Sequence, residues 1–180
     1  SLMQQRFTAQ QVVVTVLHDE QLLDVLEREL RRRRLTALHL IGHGSPGELR
    51  VGSSVLNSVA IAQAQSRWQR LAEQLDPEAE LFLYSCELAC GEQGARLLDC
   101  LQQTLQRPVH ASSTAVGPQA LGGSLELDVQ SSQAKQQPLW LDALTVLLES
   151  EAAQQTIALQ GSEDQRTYST QEVLAAGFPP

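Results

Sequence analysis

With 180 residues, 42% of them hydrophobic and 19% charged, the chain has the make-up of one globular domain that can bury a core without a stapling disulfide or structural metal. Its formal net charge of −8 argues against a phosphate-binding surface, so no nucleic-acid partner is expected. No apolar run reaches the roughly 18 residues of a membrane-spanning helix, and no membrane span is expected either.

In chain order, residues 12–17 form a β-branched apolar run of strand length. Residues 20–34 follow with Leu22, Leu23, Leu26 and Leu30 at helical spacing. A second apolar run, 37–42, ends in a loop punctuated by Gly42, Gly44, Pro46 and Gly47, and residues 48–56 read as a hairpin turning near Gly52-Ser53-Ser54. Asn57 or Ser58 can cap a helix with Ile61, Ala64, Trp68, Leu71 and Leu75 on one stripe, stopped by Asp76-Pro77. The third strand is 81–85, the next helix 91–105, and Pro108 begins a fourth strand to Ala111. Leu125, Leu127 and Val129 alternate with Glu126 and Asp128, the pattern of an edge strand over 124–129. A short helix from Trp140 to about Glu149 closes the domain, taken as residues 1–149. Residues 150–180 are polar and weakly patterned and read as tail or linker, with Ser169-Thr170-Gln171-Glu172 as a capping box before one last helical turn.

Strands alternating with helices predict an α/β fold: a mostly parallel central sheet, right-handed crossovers and helices on both faces, in a three-layer sandwich. His43 and Cys86 follow the second and third strands, which a helix-containing segment connects, as a parallel pair requires. Both residues then lie at the carboxyl edge of the sheet, where α/β folds bind ligands. A free thiol, with a pKa of about 8.5, is mostly protonated at neutral pH, and a neighbouring imidazole can activate it as a nucleophile. Glycines around His43 let a substrate carbonyl approach, with the N–H groups of Gly44 and Cys86 as candidate oxyanion donors.

These residues carry a resemblance. A hydrophobic run ending in His-Gly, then a hydrophobic run ending in Cys, is similar to the caspase-like superfamily of cysteine peptidases that includes legumain, gingipain and separase. The resemblance implies His43 as general base and proton donor, Gly44 as oxyanion-hole donor and Cys86 as nucleophile. A closer likeness covers residues 12–140 and rests on three stretches: Ile41-Gly42-His43-Gly44-Ser45-Pro46-Gly47, Tyr84-Ser85-Cys86-Glu87-Leu88-Ala89, and Ala111-Ser112-Ser113 with Leu121-Gly122-Gly123-Ser124-Leu125-Glu126-Leu127. Together they resemble a bacterial domain of unknown function near the start of long repeat-containing surface proteins and adhesins. That likeness implies a secreted or cell-surface setting within a larger protein. The resembled pattern commonly has glycine where Ser85 stands and asparagine where Glu87 stands, and the caspase motif Gln-Ala-Cys-Arg-Gly is absent, so specificity for aspartate is not carried over.

The implied function is a cysteine endopeptidase acting on a peptide or protein, its own polypeptide included. The alternative is a catalytically inactive interaction or display module of an adhesin. Substrate-binding candidates are Ser45, Glu87, Ser112, Ser113 and Asp19. Ser112 and Ser113 follow the fourth strand, where related peptidases line the substrate pocket, and Asp19, Glu48 and Glu87 would favour arginine or lysine. No cofactor is expected. No metal is expected either, because His39, His43, Cys86 and Cys90 match no compact ligand spacing. His39 reads as a core or interface histidine, and Cys90 and Cys100 as small apolar residues. An esterase reading fails because Tyr84-Ser85-Cys86-Glu87-Leu88 lacks both glycines of a nucleophile elbow.

Overall fold

The computed structural model describes residues 10–31, 34–117, 122–130 and 155–161. Strand β1 (Gln10–Thr15) leads through α1 (Leu22–Leu30) to β2 (Leu35–Ser45), and β3 (Glu48–Val51) and β4 (Ser54–Leu56) form the expected hairpin. Helices α2 (Ser58–Gln63) and α3 (Gln65–Gln74) precede β5 (Glu80–Tyr84). After it come α4 (Gly91–Leu105), β6 (Val109–Ala111), β7 (Val129–Gln130) and β8 (Gln155–Gly161). The single helix expected from 57 to 75 is therefore two, interrupted at Ala64, whose backbone leaves the helical region at φ −106° and ψ 22°. Its start is as read: the Asn57 side chain accepts a 2.9 Å hydrogen bond from the Ala60 N–H.

The main sheet runs β1-β8-β2-β5-β6-β7. β2 pairs with β5 and β5 with β6 in parallel, whereas β1 with β8, β8 with β2 and β6 with β7 are antiparallel. The sheet is thus mixed rather than mostly parallel. Its four strands β1, β2, β5 and β6 do all run the same way, as the alternating pattern requires. The antiparallel members are β7 at the edge and β8, which enters between β1 and β2. Part of the segment read as tail or linker, Gln155–Gly161, is therefore an interior strand. Conversely, the edge strand expected at 124–129 reduces to β7 and a bridge between Val116 and Ser124.

Because β1, β2, β5 and β6 follow the same order in space as in sequence, right-handed crossovers put every connecting helix on one face of the sheet. The packing agrees. Leu22, Val25, Leu26 and Leu30 of α1, Trp68 and Leu71 of α3, and Leu97, Leu98, Leu101 and Leu105 of α4 form one core with Leu38, Leu40, Leu81, Leu83, Val109 and Ala111. Helices on both faces, and with them the third layer of the expected sandwich, are not found among the described residues. Alternation along β2, β5 and β6 assigns His39, Ile41, Phe82, Tyr84 and His110 to the other face, and all five are buried. The rings of His39 and Phe82 stack at 4.7 Å and those of Phe82 and His110 at 4.8 Å. The helix expected near 140–149 and the last turn after 169 fall outside the described residues.

Candidate functional site

The site is built on the shared end of β2 and β5. The parallel register pairs Leu40 with Leu83 and Ile41 with Tyr84, so His43 and Cys86 each stand two residues beyond the same rung. Contact between the two strand ends is direct. A Cβ placed on Gly44 would lie 2.0 Å from Ser85 Oγ and 2.7 Å from the Glu48 carbonyl oxygen, so only glycine lets these segments meet so closely.

Beyond His43, β2 continues to Ser45 and turns through Pro46-Gly47 into β3, pairing His43 with Arg50, Gly44 with Leu49 and Ser45 with Glu48. Gly47 takes φ +73°, and its N–H donates to the Leu88 carbonyl at 2.9 Å. A Cβ there would meet the Gln93 carbonyl oxygen at 2.6 Å. The tip of the His43 hairpin therefore packs on the first turn of α4, just past the loop that carries Cys86. His43 and Ser45 are exposed. Across the ladder from His43, Arg50 gives its guanidinium to Glu48 at 2.7 and 3.0 Å, and Glu48 thereby loses much of its value as an acidic pocket wall.

The Cys86 loop is tied to the strand that follows. Glu87 N–H donates to Thr114 O and Ala89 N–H to Ser112 O, both at 2.9 Å. Glu87 has φ 55°, a left-handed conformation that asparagine adopts more readily than glutamate. The exposed Cys86 thiol lies 3.6 Å from the Val116 carbonyl oxygen, to which it can donate, and the Val116 N–H points at its sulfur from 3.4 Å. Both polar groups of one peptide-bearing residue thus engage the sulfur. Behind the thiol, Ser85 Oγ is buried without a hydrogen-bond partner among the described residues.

Ser112, an expected substrate contact, is fully buried, and its hydroxyl is used within the turn by the Thr114 N–H and carbonyl, each at 3.1 Å. Ser113 is held by Asp128, whose carboxylate accepts from both the Ser113 N–H at 2.7 Å and the Ser113 hydroxyl. The hydroxyl bond, then the backbone bond, hold the Asp128 carboxyl below its ordinary range. Asp19 is exposed in the loop after β1, and β8 separates β1 from β2, so that loop begins two strand steps, about 10 Å, from β2. The loop is instead bound to the β3–β4 hairpin, with Ser53 N–H donating to Glu20 O at 2.9 Å.

The structure thus brings together the strand ends bearing His43, Gly44, Ser45, Cys86 and Glu87, with the Ser112 and Thr114 carbonyls bracing the second loop, Ser113 tied to Asp128, and Asp19 in the loop bound to the β3–β4 hairpin. Sequence reasoning missed Val116 and Asp128. Val116 acts through its backbone and has no residue-type signal, but an aspartate fifteen residues after a serine pair, with glycine turns between, was a readable anchor. Cys90 and Cys100 are free thiols, Cys90 exposed at the start of α4 and Cys100 partly buried with its sulfur 3.7 Å from Ser58 O. Among the described residues no three His, Cys, Asp or Glu side chains are grouped to hold a metal ion, and no helix is long and apolar enough to cross a membrane.

A family profile described as "Domain of unknown function (DUF4347)" matches residues 1–155. No curated protein and no solved structure matches the chain.

Proposed function

The chain belongs to the DUF4347 family, and from that premise we propose that it is a cysteine endopeptidase domain of caspase-like architecture. It acts on extended peptide within a bacterial secreted or surface protein, its own polypeptide included. His43 takes the Cys86 thiol proton and the sulfur attacks the scissile carbonyl. Gly44 and Cys86 N–H groups receive the oxyanion, the amine leaves with the proton returned by His43, and water then releases the acyl group. One observation carries the reading: β2 and β5 are adjacent, parallel strands, and the base and thiol sit at equal distances past one rung.

A second reading is a non-catalytic display module on the same scaffold. It is favoured by the two-way engagement of Cys86 by the Val116 backbone, which already occupies the sulfur. Digestion of a peptide library, with intact mass of the chain itself, separates the two when wild type, Cys86→Ala and His43→Ala are compared across pH and calcium. The peptidase reading expects cleavage by wild type alone, with all three proteins unfolding at the same midpoint. It is overturned by equal behaviour of wild type and Cys86→Ala, or by a thiol probe that labels Cys90 and Cys100 but never Cys86.

A further inference from the structure

Strand β8 differs in kind from the rest of the sheet. β1 and β2 are consecutive same-direction strands linked by one helix, the arrangement that makes β2–β5 and β5–β6 direct neighbours, yet β1 does not touch β2 along the ladder. Every pairing of β1 among the described residues is to β8, from Gln10↔Gly161 to Thr15↔Thr156. On its other side β8 pairs with β2 from Leu35↔Gly161 to Gly42↔Gln155, with one irregularity between Leu35 and Ala37. Ile157 thus stands in register between Val14 and Leu40, and Leu159 between Val12 and Leu38. Among the described residues, one short segment carries all of the strand pairing that joins β1 to the sheet.

That segment begins where the family ends: the matched region stops at residue 155, the first of β8. The matched region of this chain therefore takes in β1 and β2 but only the first residue of the strand between them. In β8's absence, β1 and the β1-side of β2 present two facing rows of unpaired N–H and C=O groups, a template for any extended segment of suitable pattern. Gln-Thr-Ile-Ala-Leu-Gln-Gly is such a segment: short, uncharged and alternating. It is joined to β7, four strand steps and about 19 Å away across the sheet, only through residues 131–154, a length that reaches the slot of its own chain or that of a neighbour.

We propose that the space between β1 and β2 is a strand-acceptor site, and that its occupant, Gln155–Gly161, exchanges between two copies of this chain so that each copy's β8 completes the other's sheet. An identical element moved between copies forms the same bonds in the dimer as in the monomer, so the balance turns on the connection and on concentration rather than on new contacts. The strand enters beside Gly42, one residue from His43, so in the exchanged dimer each copy borders the other's candidate site. The proposal does not depend on whether Cys86 is catalytic.

The test uses full-length chains in which Cys86, Cys90 and Cys100 are all replaced by serine. One chain adds Val13→Cys and a second adds Ala158→Cys, positions that face each other in register. They are refolded together from denaturant at high protein concentration and oxidised. Exchange yields a covalent heterodimer several-fold above that from an out-of-register control, Thr15→Cys with Gln160→Cys, together with concentration-dependent dimer in light scattering of the unmodified chain. A heterodimer no more abundant than the control overturns the proposal when the double variant Val13→Cys/Ala158→Cys closes within one chain, because the strand is then held permanently by its own copy. Failure of that double variant to close overturns it as well, since the slot is then not filled by this segment.

Discussion

Replacing Gly44 with alanine probes the meeting of the two strand ends directly. The added methyl would fall 2.0 Å from Ser85 Oγ and 2.7 Å from the Glu48 carbonyl oxygen. The serine hydroxyl can yield by rotating, but the Glu48 carbonyl belongs to the β2–β3 hairpin and cannot move without breaking its register with Ser45. Overpacking of this kind costs about 1–3 kcal/mol, and the backbone clash puts this site near the upper end, about 2–3 kcal/mol. With a urea slope of about 2 kcal/mol per molar, the unfolding midpoint should fall by about 1 M. Ser85→Gly alone should be close to neutral, because it removes a buried hydroxyl without a partner while freeing the backbone. In the double variant about 1 kcal/mol of the Gly44→Ala loss should return, since only the Glu48 contact remains, and a double-mutant cycle measures that coupling. An unchanged midpoint for Gly44→Ala, or strictly additive effects, would refute the claim that the His43 and Cys86 segments are in contact at these two residues.

Two further outcomes follow from titratable groups. His110 has no exposure, neither ring nitrogen has a hydrogen-bond partner among the described residues, and the Glu80 carboxylate 3.6 Å away is beyond hydrogen-bond length. Burial therefore outweighs Glu80 and lowers the His110 pKa below 6.5. The unfolded chain binds this proton more readily than the folded one, so stability is fully present above about pH 6.5 and declines as pH falls toward the lowered folded value. In His110→Phe that part of the decline should vanish in urea titrations between about pH 5 and 7, and an identical slope in wild type would contradict it. Asp128 has the opposite charge but the same sign of effect: its folded pKa is depressed by Ser113, so its contribution is present above the unfolded value and lost as pH falls through the folded one. Asp128→Asn keeps the shape but weakens the Ser113 bonds. It should reduce stability by no more than about 1 kcal/mol because the carboxylate is exposed, and should speed hydrogen exchange at the Ser113 amide; unchanged exchange there would refute the bracing role.

Local patterns in the sequence carried the alternation of strands and helices. The apolar stripe of α1, the Asn57 cap, the Gly52 hairpin and the run 91–105 each follow from a period or a turn residue confined to a few positions. From that alternation came the parallel pairing of the strands before His43 and Cys86, because a helical connection of that length leaves little else. Less legible was the second side of the site. The Val116 contacts with Cys86 are made by a peptide group that every residue possesses, and the brace from Asp128 to Ser113 joins loops that no local rule relates.

The sequence by itself put the imidazole and the thiol at one end of a parallel strand pair, although it ended the second strand at Gly42, where β2 in fact runs on through His43 to Ser45 because β3 pairs with it. Only the tertiary structure decided that the described helices share one face, that the loop of Asp19 is bound to the β3–β4 hairpin, and that a stretch with the look of a tail runs through the interior of the sheet. The physical reason is common to all three. Strand order, loop docking and insertion are settled by backbone hydrogen bonds between segments distant in the sequence, more than a hundred residues apart for β8, and those bonds are chemically alike whatever side chains accompany them.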